Sequence, residues 1–208
     1  MIINRKLAAS PELATVEVHG MTRGAFILRA ALAAGSVYGL QTVTPFVSEA
    51  LAQDEAGDLE ILNFALTLEF LETDFYENAQ GLSGEVADLA RTFGGEEAEH
   101  VAALTAAIEE LGGKPASKPV TSFPKGDEAA FLKLAQTLED TGVSAYNGAA
   151  PLIESKEILA AAGSIVQIEA RHAATIRMLN GENPAPVAFD QTLQADEVLS
   201  AVEPFVGT

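Results

Sequence analysis

The sequence predicts an all-α protein, a four-helix bundle in which one long connection joins the second and third helices. Three observations support this prediction. Apolar residues recur at helical spacing in four long stretches between residues 58 and 179. Glycine- and proline-containing segments separate these stretches. The chain has 208 residues and no tryptophan, which favours one helical domain with some additional chain.

Each predicted helix has recognisable end signals. The sequence GLSG breaks the first helix and places Ser83 as an N-cap for the second. The second ends at LGGKP, where glycines precede a proline, and Pro151 ends the third. The fourth stops at NGENPAP. The four predicted helices therefore span about residues 58–79, 84–111, 127–150 and 155–179.

The connection GKPASKPVTSFPKG contains about 14 residues, three prolines and no periodicity. At roughly 3.3 Å per residue it can extend about 46 Å, whereas a helix of about 28 residues is about 42 Å long. It can therefore cross the whole bundle and make helices two and three parallel. The other two connections are short, so they join antiparallel neighbours. This is the one-long-crossover bundle topology.

Charge and composition exclude several classes of function. The chain has 30 acidic and 12 basic side chains, a net charge of -18 that disfavours nucleic acid as a partner and attracts cations. It contains no cysteine, which excludes disulfides, iron–sulfur clusters and a cysteine nucleophile.

Two Glu-x-x-His pairs lie within the second and fourth predicted helices. They are Glu97–His100 and Glu169–His172, 72 residues apart, and they contain two of the three histidines. Residues three apart lie on one face of a helix, so the two side chains of each pair can reach a common point.

The first and third predicted helices share a second pattern. Glu69 is followed seven residues later by Tyr76, and Glu139 is followed seven later by Tyr146, an offset of 70 residues. Each glutamate lies on the same helical stripe as apolar residues that face inward. The chain therefore consists of two halves with one arrangement of acidic, aromatic and histidine residues.

Four carboxylates and two imidazoles are predicted to converge inside the bundle. Burying several carboxylates together is very costly, and two divalent cations would remove that cost. Carboxylate and imidazole ligands suit iron or manganese, and zinc is the weaker choice because its sites favour tetrahedral shells rich in nitrogen and sulfur. The candidate metal ligands are Glu69, Glu97, His100, Glu139, Glu169 and His172.

Other residues near these ligands have two interpretations each. Glu72, one turn beyond Glu69, is either a seventh ligand or a hydrogen-bond acceptor outside the ligand set. Tyr76 and Tyr146 are either core aromatic residues or hydrogen-bond partners of the ligands. Further acidic residues on the helices are interpreted as solvated: Glu96, Glu99 and Glu154.

The stretches LNFALTLEFLETDFY, EEAEHVAAL with its following LGG, and VQIEARHAATIRML resemble the ferritin-like superfamily of di-iron and di-manganese carboxylate proteins. More narrowly, the chain is similar to the bacterial ferritin-like-domain group that includes desiccation-related proteins. The resemblance covers about residues 56–180. It implies bridging roles for Glu97 and Glu169, terminal carboxylates at Glu69 and Glu139, and terminal imidazoles at His100 and His172.

This resemblance implies a dinuclear iron or manganese protein that reacts with dioxygen or peroxide. The alternative is an exported metal-binding protein with a protective role in stress or desiccation and no turnover. A cage-forming storage ferritin is a third, weaker alternative. The sequence leaves open whether the bundle forms a homo-oligomer.

The N-terminal segment, residues 1–52, has the features of an export signal. A basic start precedes a modestly apolar run, which ends in Ala50-Leu51-Ala52, an A-x-A cleavage pattern. Met21 is a natural start for this signal, so residues 1–20 are interpreted as an upstream extension. The alternative interpretation of the segment is an N-terminal helix that stays on the protein. TRGAFIL is similar to a twin-arginine motif, with Gly24 where the second arginine is expected. We expect export to the periplasm, cell envelope or exterior, and no stable membrane span, because Arg29 interrupts the run.

The chain after the fourth helix, residues 181–208, is predicted to be an irregular tail. Its apolar residues are expected to pack back onto the bundle, and they are Val187, Phe189, Leu193, Val198 and Phe205.

Overall fold

The computed structural model describes residues 57–207, so the export-signal-like segment predicted at residues 1–52 lies outside the described chain. The described residues form no β-strand. Among their helices, none combines the length and the apolar character needed to cross a membrane. The helices are α1 (Asp58–Glu77), α2 (Gly84–Glu110), α3 (Glu128–Ala149), α4 (Lys156–Leu179) and α5 (Ala195–Val202).

Glycines end two of the long helices, as their sequence signals predict. After α2, Gly112 adopts a positive φ of 75°. The N–H of Gly113 donates to the carbonyl of Ile108 at 2.9 Å, and that of Gly112 donates to Glu109 at 2.9 Å. This is the Schellman pattern, which pairs otherwise unsatisfied carbonyls at a helix end. Gly181 has the same role after α4.

Side chains cap the starts of two helices. Asp127 accepts from the N–H of Ala130 at 3.0 Å, and Ser155 accepts from the N–H of Ile158 at 3.2 Å. Such caps satisfy orphan donors of the first turn. Ser83 holds the predicted N-cap position of α2, but its side chain makes no capping hydrogen bond.

The direction of each helix follows from cross-helix contacts. Tyr76, near the end of α1, bonds to Glu139 in the middle of α3, and Tyr146 near the end of α3 bonds to Glu69 in α1. Helices α1 and α3 are therefore antiparallel. Helix α2 pairs closely with α1, and α4 with α3. The hairpin of α1 and α2 makes α2 parallel to α3, which confirms the predicted bundle with one long crossover.

The crossover segment is attached to the C-terminal tail. An isolated antiparallel bridge joins Thr121 and Val206. Two hydrogen bonds form this bridge: the N–H of Gly207 donates to the carbonyl of Val120 at 2.7 Å, and the N–H of Ser122 donates to the carbonyl of Phe205 at 2.9 Å. The tail therefore holds the crossover against the bundle.

The tail is not irregular throughout, which corrects the sequence prediction. Residues Ala195–Val202 form α5, and Glu197 accepts the N–H of Gln194 at 2.8 Å at its start. Val198 and Val202, one turn apart, are 0% and 5% exposed in the core. This short helix is stable because its apolar face is buried against the bundle.

The expectation that Val187 and Phe189 pack onto the bundle is wrong, because they are 62% and 86% exposed. Every residue in 181–191 is exposed. Leu193 and Phe205 are partly buried against the core, as expected. The proline-containing segment after α4 is therefore exposed to solvent, and the chain packs on the bundle again at α5.

The bundle core consists of two apolar clusters. One includes Phe75, Phe93 and Ile176, and the other includes Leu66 and Ile108. On α1 and α2 these clusters lie on either side of the glutamate and histidine positions along the helix. A polar layer is therefore enclosed between two apolar layers.

Candidate metal centre

The six predicted ligands lie together in this polar layer. Each of the four long helices contributes at least one of them. The four carboxylate side chains are fully buried, and the residues His100 and His172 are 9% and 2% exposed. The helices and their residues are α1 with Glu69, α2 with Glu97 and His100, α3 with Glu139, and α4 with Glu169 and His172.

The ligand atoms form two overlapping groups. In each group, one oxygen or nitrogen atom from every residue lies within 4.8 Å of the others. Glu97 and Glu169 belong to both groups. The arrangement therefore offers two adjoining cation positions that share two carboxylates. The first group is Glu69, Glu97, His100 and Glu169, and the second is Glu97, Glu139, Glu169 and His172.

The His100 imidazole points into the first group. Its Nδ1 lies 3.0 Å from Glu97, 3.1 Å from Glu169 and 3.3 Å from Glu69. Burial lowers the pKa of His100, but its contacts with the three carboxylates outweigh burial and raise the pKa to about 12. Without a metal ion, the protonated ring therefore neutralises part of the carboxylate charge.

The His172 imidazole occupies the corresponding place in the second group. Its Nδ1 lies 2.8 Å from Glu97 and 3.4 Å from Glu139 without the geometry of a hydrogen bond. Phe93 stacks on the ring with centroids 3.8 Å apart. Burial lowers the pKa of His172, but the carboxylates of Glu139 and Glu97 raise it to about 11.

Glu96 contacts His172, which corrects its interpretation as a solvated residue. The Nε2 of His172 lies 2.6 Å from Glu96, whose side chain is 46% exposed. A carboxylate on one ring nitrogen fixes the tautomer and turns the other nitrogen toward the ligand cluster. Ile168 stands 72 residues after Glu96, so the second half has no equivalent carboxylate at this position. Glu99 and Glu154 are exposed, as predicted.

The two tyrosines are both buried and hydrogen-bonded, so each is a core aromatic residue and also a hydrogen-bond partner of a candidate ligand. The Tyr76 hydroxyl donates to Glu139, and the Tyr146 hydroxyl donates to Glu69 at 2.5 Å. Burial raises the pKa of each phenol well above 10, and the nearby carboxylate raises it further. The hydroxyls therefore remain protonated and hold the two glutamates in place.

Burial acts to raise the pKa of all four carboxylates, but the net shifts differ because their contacts differ. It raises the pKa of Glu69 from 4.5 to about 7, against the hydrogen bond from His100. It raises the pKa of Glu139, and that of Glu169 rises well above 4.5. Burial also acts to raise the pKa of Glu97, but contacts with His100 and His172 outweigh it and lower the pKa to about 2.

Several buried polar atoms in this layer have no hydrogen-bond partner among the described residues. Buried polar atoms are normally paired, so a concentration of unpaired ones needs a physical explanation. Those of Glu97, Glu139, Glu169 and His172 belong to the two adjoining ligand groups, where bound cations would satisfy them. The unpaired atoms are both oxygens of Glu72 and Glu169, Oε1 of Glu97, Oε2 of Glu139 and Nδ1 of His172.

Comparisons with known proteins agree with this architecture. Two solved structures share the fold. One is a ferritin-like, diiron-carboxylate protein from Bacillus anthracis, 24% identical, with a TM-score of 0.51, matched over 58% of this chain and 93% of that one. The other is a conserved hypothetical protein, rv2844, from Mycobacterium tuberculosis, 18% identical, with a TM-score of 0.54, matched over 62% of this chain and 94% of that one.

Protein rds1 of Schizosaccharomyces pombe is 26% identical over 149 residues, which are 72% of this chain and 36% of the yeast protein. The chain therefore spans about a third of the length of that relative. The model of the ferritin-like domain family matches residues 57–182, which includes all four long helices and every predicted ligand. The chain belongs to the ferritin-like domain family.

Proposed function

We propose that the chain holds two divalent metal ions, iron or manganese, and that the loaded centre reacts with dioxygen or peroxide. One observation carries this proposal: two groups of buried ligand atoms share Glu97 and Glu169. In dinuclear carboxylate proteins of this fold, glutamates from all four helices and two histidines hold the ions, so Glu97 and Glu169 would contribute to both positions. In this proposal Glu69 and Glu139 are terminal carboxylates, and His100 and His172 are terminal imidazoles.

The ligand types favour iron and manganese. Oxygen-rich sets with some imidazole suit these ions, whereas structural zinc sites are mostly tetrahedral and rich in nitrogen and sulfur. When bound, a pair of such ions supplies redox chemistry toward dioxygen or peroxide. The Bacillus anthracis protein of similar fold is described as a diiron-carboxylate protein, which supports this choice.

The protein's own residues orient the ligands and exclude water. Tyr76 and Tyr146 each donate to the terminal glutamate of the opposite half. Glu96 orients His172 through Nε2. The two apolar clusters enclose the layer on both sides, so electrostatic interactions within it are strong.

An apolar cavity supports dioxygen as the co-substrate. It has a volume of about 560 Å³, and Tyr146 is among its lining residues together with Leu62, Leu104 and Ile165. Leu104 lies one turn beyond His100, and Ile165 lies one turn before Glu169. The lining is mostly apolar, with Glu110 and Glu157 also among its residues, so a small apolar molecule can approach to within one helical turn of the ligands.

The proposal is tested by metal titration of the purified protein. We expect two Fe(II) or Mn(II) ions to bind per chain, and aerobic addition of Fe(II) to produce a ferric absorption band. Glu97→Ala and His172→Ala should each abolish the band, because each removes a ligand from the shared layer. Glu99→Ala on the same helix, where the side chain is exposed, is the matched control. Less than one metal per chain in the unmodified protein would overturn the proposal.

A second candidate function is metal binding without turnover, in an exported protein that protects against stress or desiccation. Complete burial of the four carboxylates favours it, because a buried metal stabilises a fold whether or not it reacts. Two bound ions, no ferric band after Fe(II) addition, and a large fall in melting temperature on chelation would identify this function.

Glu96 makes the two proposed metal positions unequal. Because Glu96 supports His172 and Ile168 stands at the corresponding place in the other half, Glu96→Ala should weaken one of two metal-binding events. We expect a loss of about tenfold or more at that position and little change at the other. Isothermal titration with Mn(II) measures both, with Glu99→Ala as control. Equal weakening of both events, or none, would contradict the role assigned to Glu96.

A further inference from the structure

Glu72 is a fifth buried carboxylate beside the candidate centre. It lies on α1, one turn after Glu69, and is 2% exposed. Neither of its oxygens has a hydrogen-bond partner among the described residues. An unpaired carboxyl group at this depth is costly unless something binds it.

The second half of the chain has a glycine where the first has Glu72. The internal offset of 70 residues relates Glu69 to Glu139 and Tyr76 to Tyr146, and it relates Glu72 to Gly142. Glutamates and tyrosines are thus repeated while this inward position differs. Gly142 is therefore the counterpart of Glu72 in the second half of the chain.

Glu72 reaches into the space next to Gly142. A Cβ atom built on Gly142 would lie 3.2 Å from an oxygen of Glu72 and 3.3 Å from an oxygen of Glu169. These contacts are tighter than most Cβ atoms make, so a side chain at position 142 would push the carboxylates of Glu72 and Glu169 aside by a few tenths of an ångström. The missing side chain on α3 therefore leaves room for the Glu72 carboxylate near Glu169. Both ligand groups share Glu169, and Glu72 itself belongs to neither group.

We propose that Glu72 is a seventh metal ligand, admitted by Gly142, and that it raises the selectivity of the centre for manganese or iron over zinc. This inference rests on the proposed dinuclear function. Four carboxylates, Glu69, Glu97, Glu139 and Glu169, surround Glu72 closely enough to repel it. A cation shared with Glu169 converts this repulsion into attraction, and it also satisfies the unpaired oxygens.

Selectivity follows from coordination number. Manganese and ferrous ions accept six ligands rich in oxygen, whereas zinc favours four. A seventh protein ligand therefore strengthens the binding of six-coordinate manganese or ferrous ions and adds little to the binding of four-coordinate zinc. A carboxylate that acted through its charge alone would favour every divalent ion to the same extent.

The test uses the full chain, stripped of metal and titrated separately with Mn(II) and Zn(II). Glu72→Gln keeps the shape of the side chain and removes its negative charge. We expect it to weaken Mn(II) binding by about 10–100-fold and Zn(II) binding much less. Glu60→Gln, an exposed carboxylate on the same helix, is the control and should leave both affinities unchanged.

Gly142→Ala provides the second arm. Its methyl group should push the carboxylates of Glu72 and Glu169 aside by a few tenths of an ångström. We expect a smaller loss of Mn(II) affinity than for Glu72→Gln, although replacing a mid-helix glycine by alanine favours the helix itself. The double variant should bind Mn(II) no more weakly than Glu72→Gln alone, because both changes act on one contact. Gly163→Ala is the control, since a Cβ there meets nothing within 4 Å. Circular dichroism of the metal-free variants checks folding.

The outcomes separate this inference from the proposed function. If the unmodified protein binds two Mn(II) ions and Glu72→Gln binds them equally well, Glu72 is a neutral buried acid and the inference fails. Equal losses of Mn(II) and Zn(II) affinity would also overturn it, in favour of a charge effect. If the unmodified protein binds neither ion, the dinuclear function itself fails.

Discussion

Metal-free protein is expected to lose stability as the pH rises from 5 to 8, and saturating Mn(II) is expected to reverse this dependence. The reason is the raised pKa of the buried glutamates, of which Glu69 at about 7 is the clearest. Between pH 4.5 and 7 the unfolded chain ionises this group while the folded protein still binds its proton. Stability therefore falls as pH rises. Each pH unit in that range costs about 1.4 kcal/mol for one group.

The histidines act in the same direction. The pKa of His100 is raised to about 12 and that of His172 to about 11. Their stabilising contribution is complete below the unfolded value of 6.5, and it is lost as pH rises through these folded values. Glu97, with its pKa near 2, acts oppositely, but its contribution is lost only below about pH 4.5. Stability of the metal-free protein should therefore be greatest near pH 5.

Glu69 alone accounts for a loss of about 3 kcal/mol between pH 4.5 and 7, which corresponds to roughly 6–12 °C in melting temperature for a domain of this size. Metal ions bind the deprotonated ligands, so stabilisation by Mn(II) should increase over the same pH range. Melting curves at pH 5, 6, 7 and 8, with chelator or with Mn(II), measure both dependences. In the Glu69→Gln variant, the part of the stability loss that the Glu69 carboxylate causes should be absent. A metal-free protein whose stability is constant from pH 5 to 8 would contradict the raised pKa values.

The convergence of the candidate ligands could be predicted from the sequence because their positions follow short-range helical rules. Glu97 and His100 lie three residues apart, so one helix alone determines that they share a face. The repeat then connects them with Glu169 and His172. The crossover could also be predicted, since its length can be compared directly with that of a helix. Helix ends followed from local signals such as Gly112 and Pro151.

Contacts between helices were harder to predict. Glu96 is adjacent to Glu97, and neighbouring residues on a helix point in different directions, so the sequence pattern alone indicates a solvated side chain. Its contact with His172 depends on how α2 and α4 are placed relative to each other, which no local pattern specifies. The sequence does contain one signal, the mismatch between Glu96 and Ile168 in an otherwise repeated pattern.

The surroundings of Glu72 and the structure of the tail were also hard to predict, because both depend on tertiary contacts. The repeat could have revealed Gly142 as the counterpart of Glu72, but the space between α1 and α3 is a tertiary property. In the tail, two valines one turn apart, Val198 and Val202, predict little on their own because so short a helix needs tertiary contacts. Phe189 was expected to be buried because it is large and apolar, yet single exposed apolar residues are common.

The largest opposed effects on stability and binding are expected for Glu169→Gln. In the metal-free protein Glu169 is fully buried and neither oxygen accepts a hydrogen bond, although Nδ1 of His100 lies 3.1 Å from one of them. Burial and the charge of Glu69 raise its pKa well above 4.5. At pH 8 the folded protein must either protonate this group or bury its charge, and both are costly. A neutral amide of the same shape removes that cost.

We expect Glu169→Gln to raise the free energy of unfolding of the metal-free protein by about 2–4 kcal/mol at pH 8, or roughly 5–15 °C in melting temperature. The gain should shrink at pH 5, where the glutamate is protonated. Because Glu169 belongs to both ligand groups, the same variant should lose both Mn(II)-binding events. Glu99→Gln, at an exposed position, should change stability by less than about 0.5 kcal/mol. Urea unfolding with chelator and Mn(II) titration measure the two effects. A less stable metal-free variant would mean that contact with His100 outweighs the burial of Glu169, and the fold would then not depend on a metal ion to offset its carboxylates.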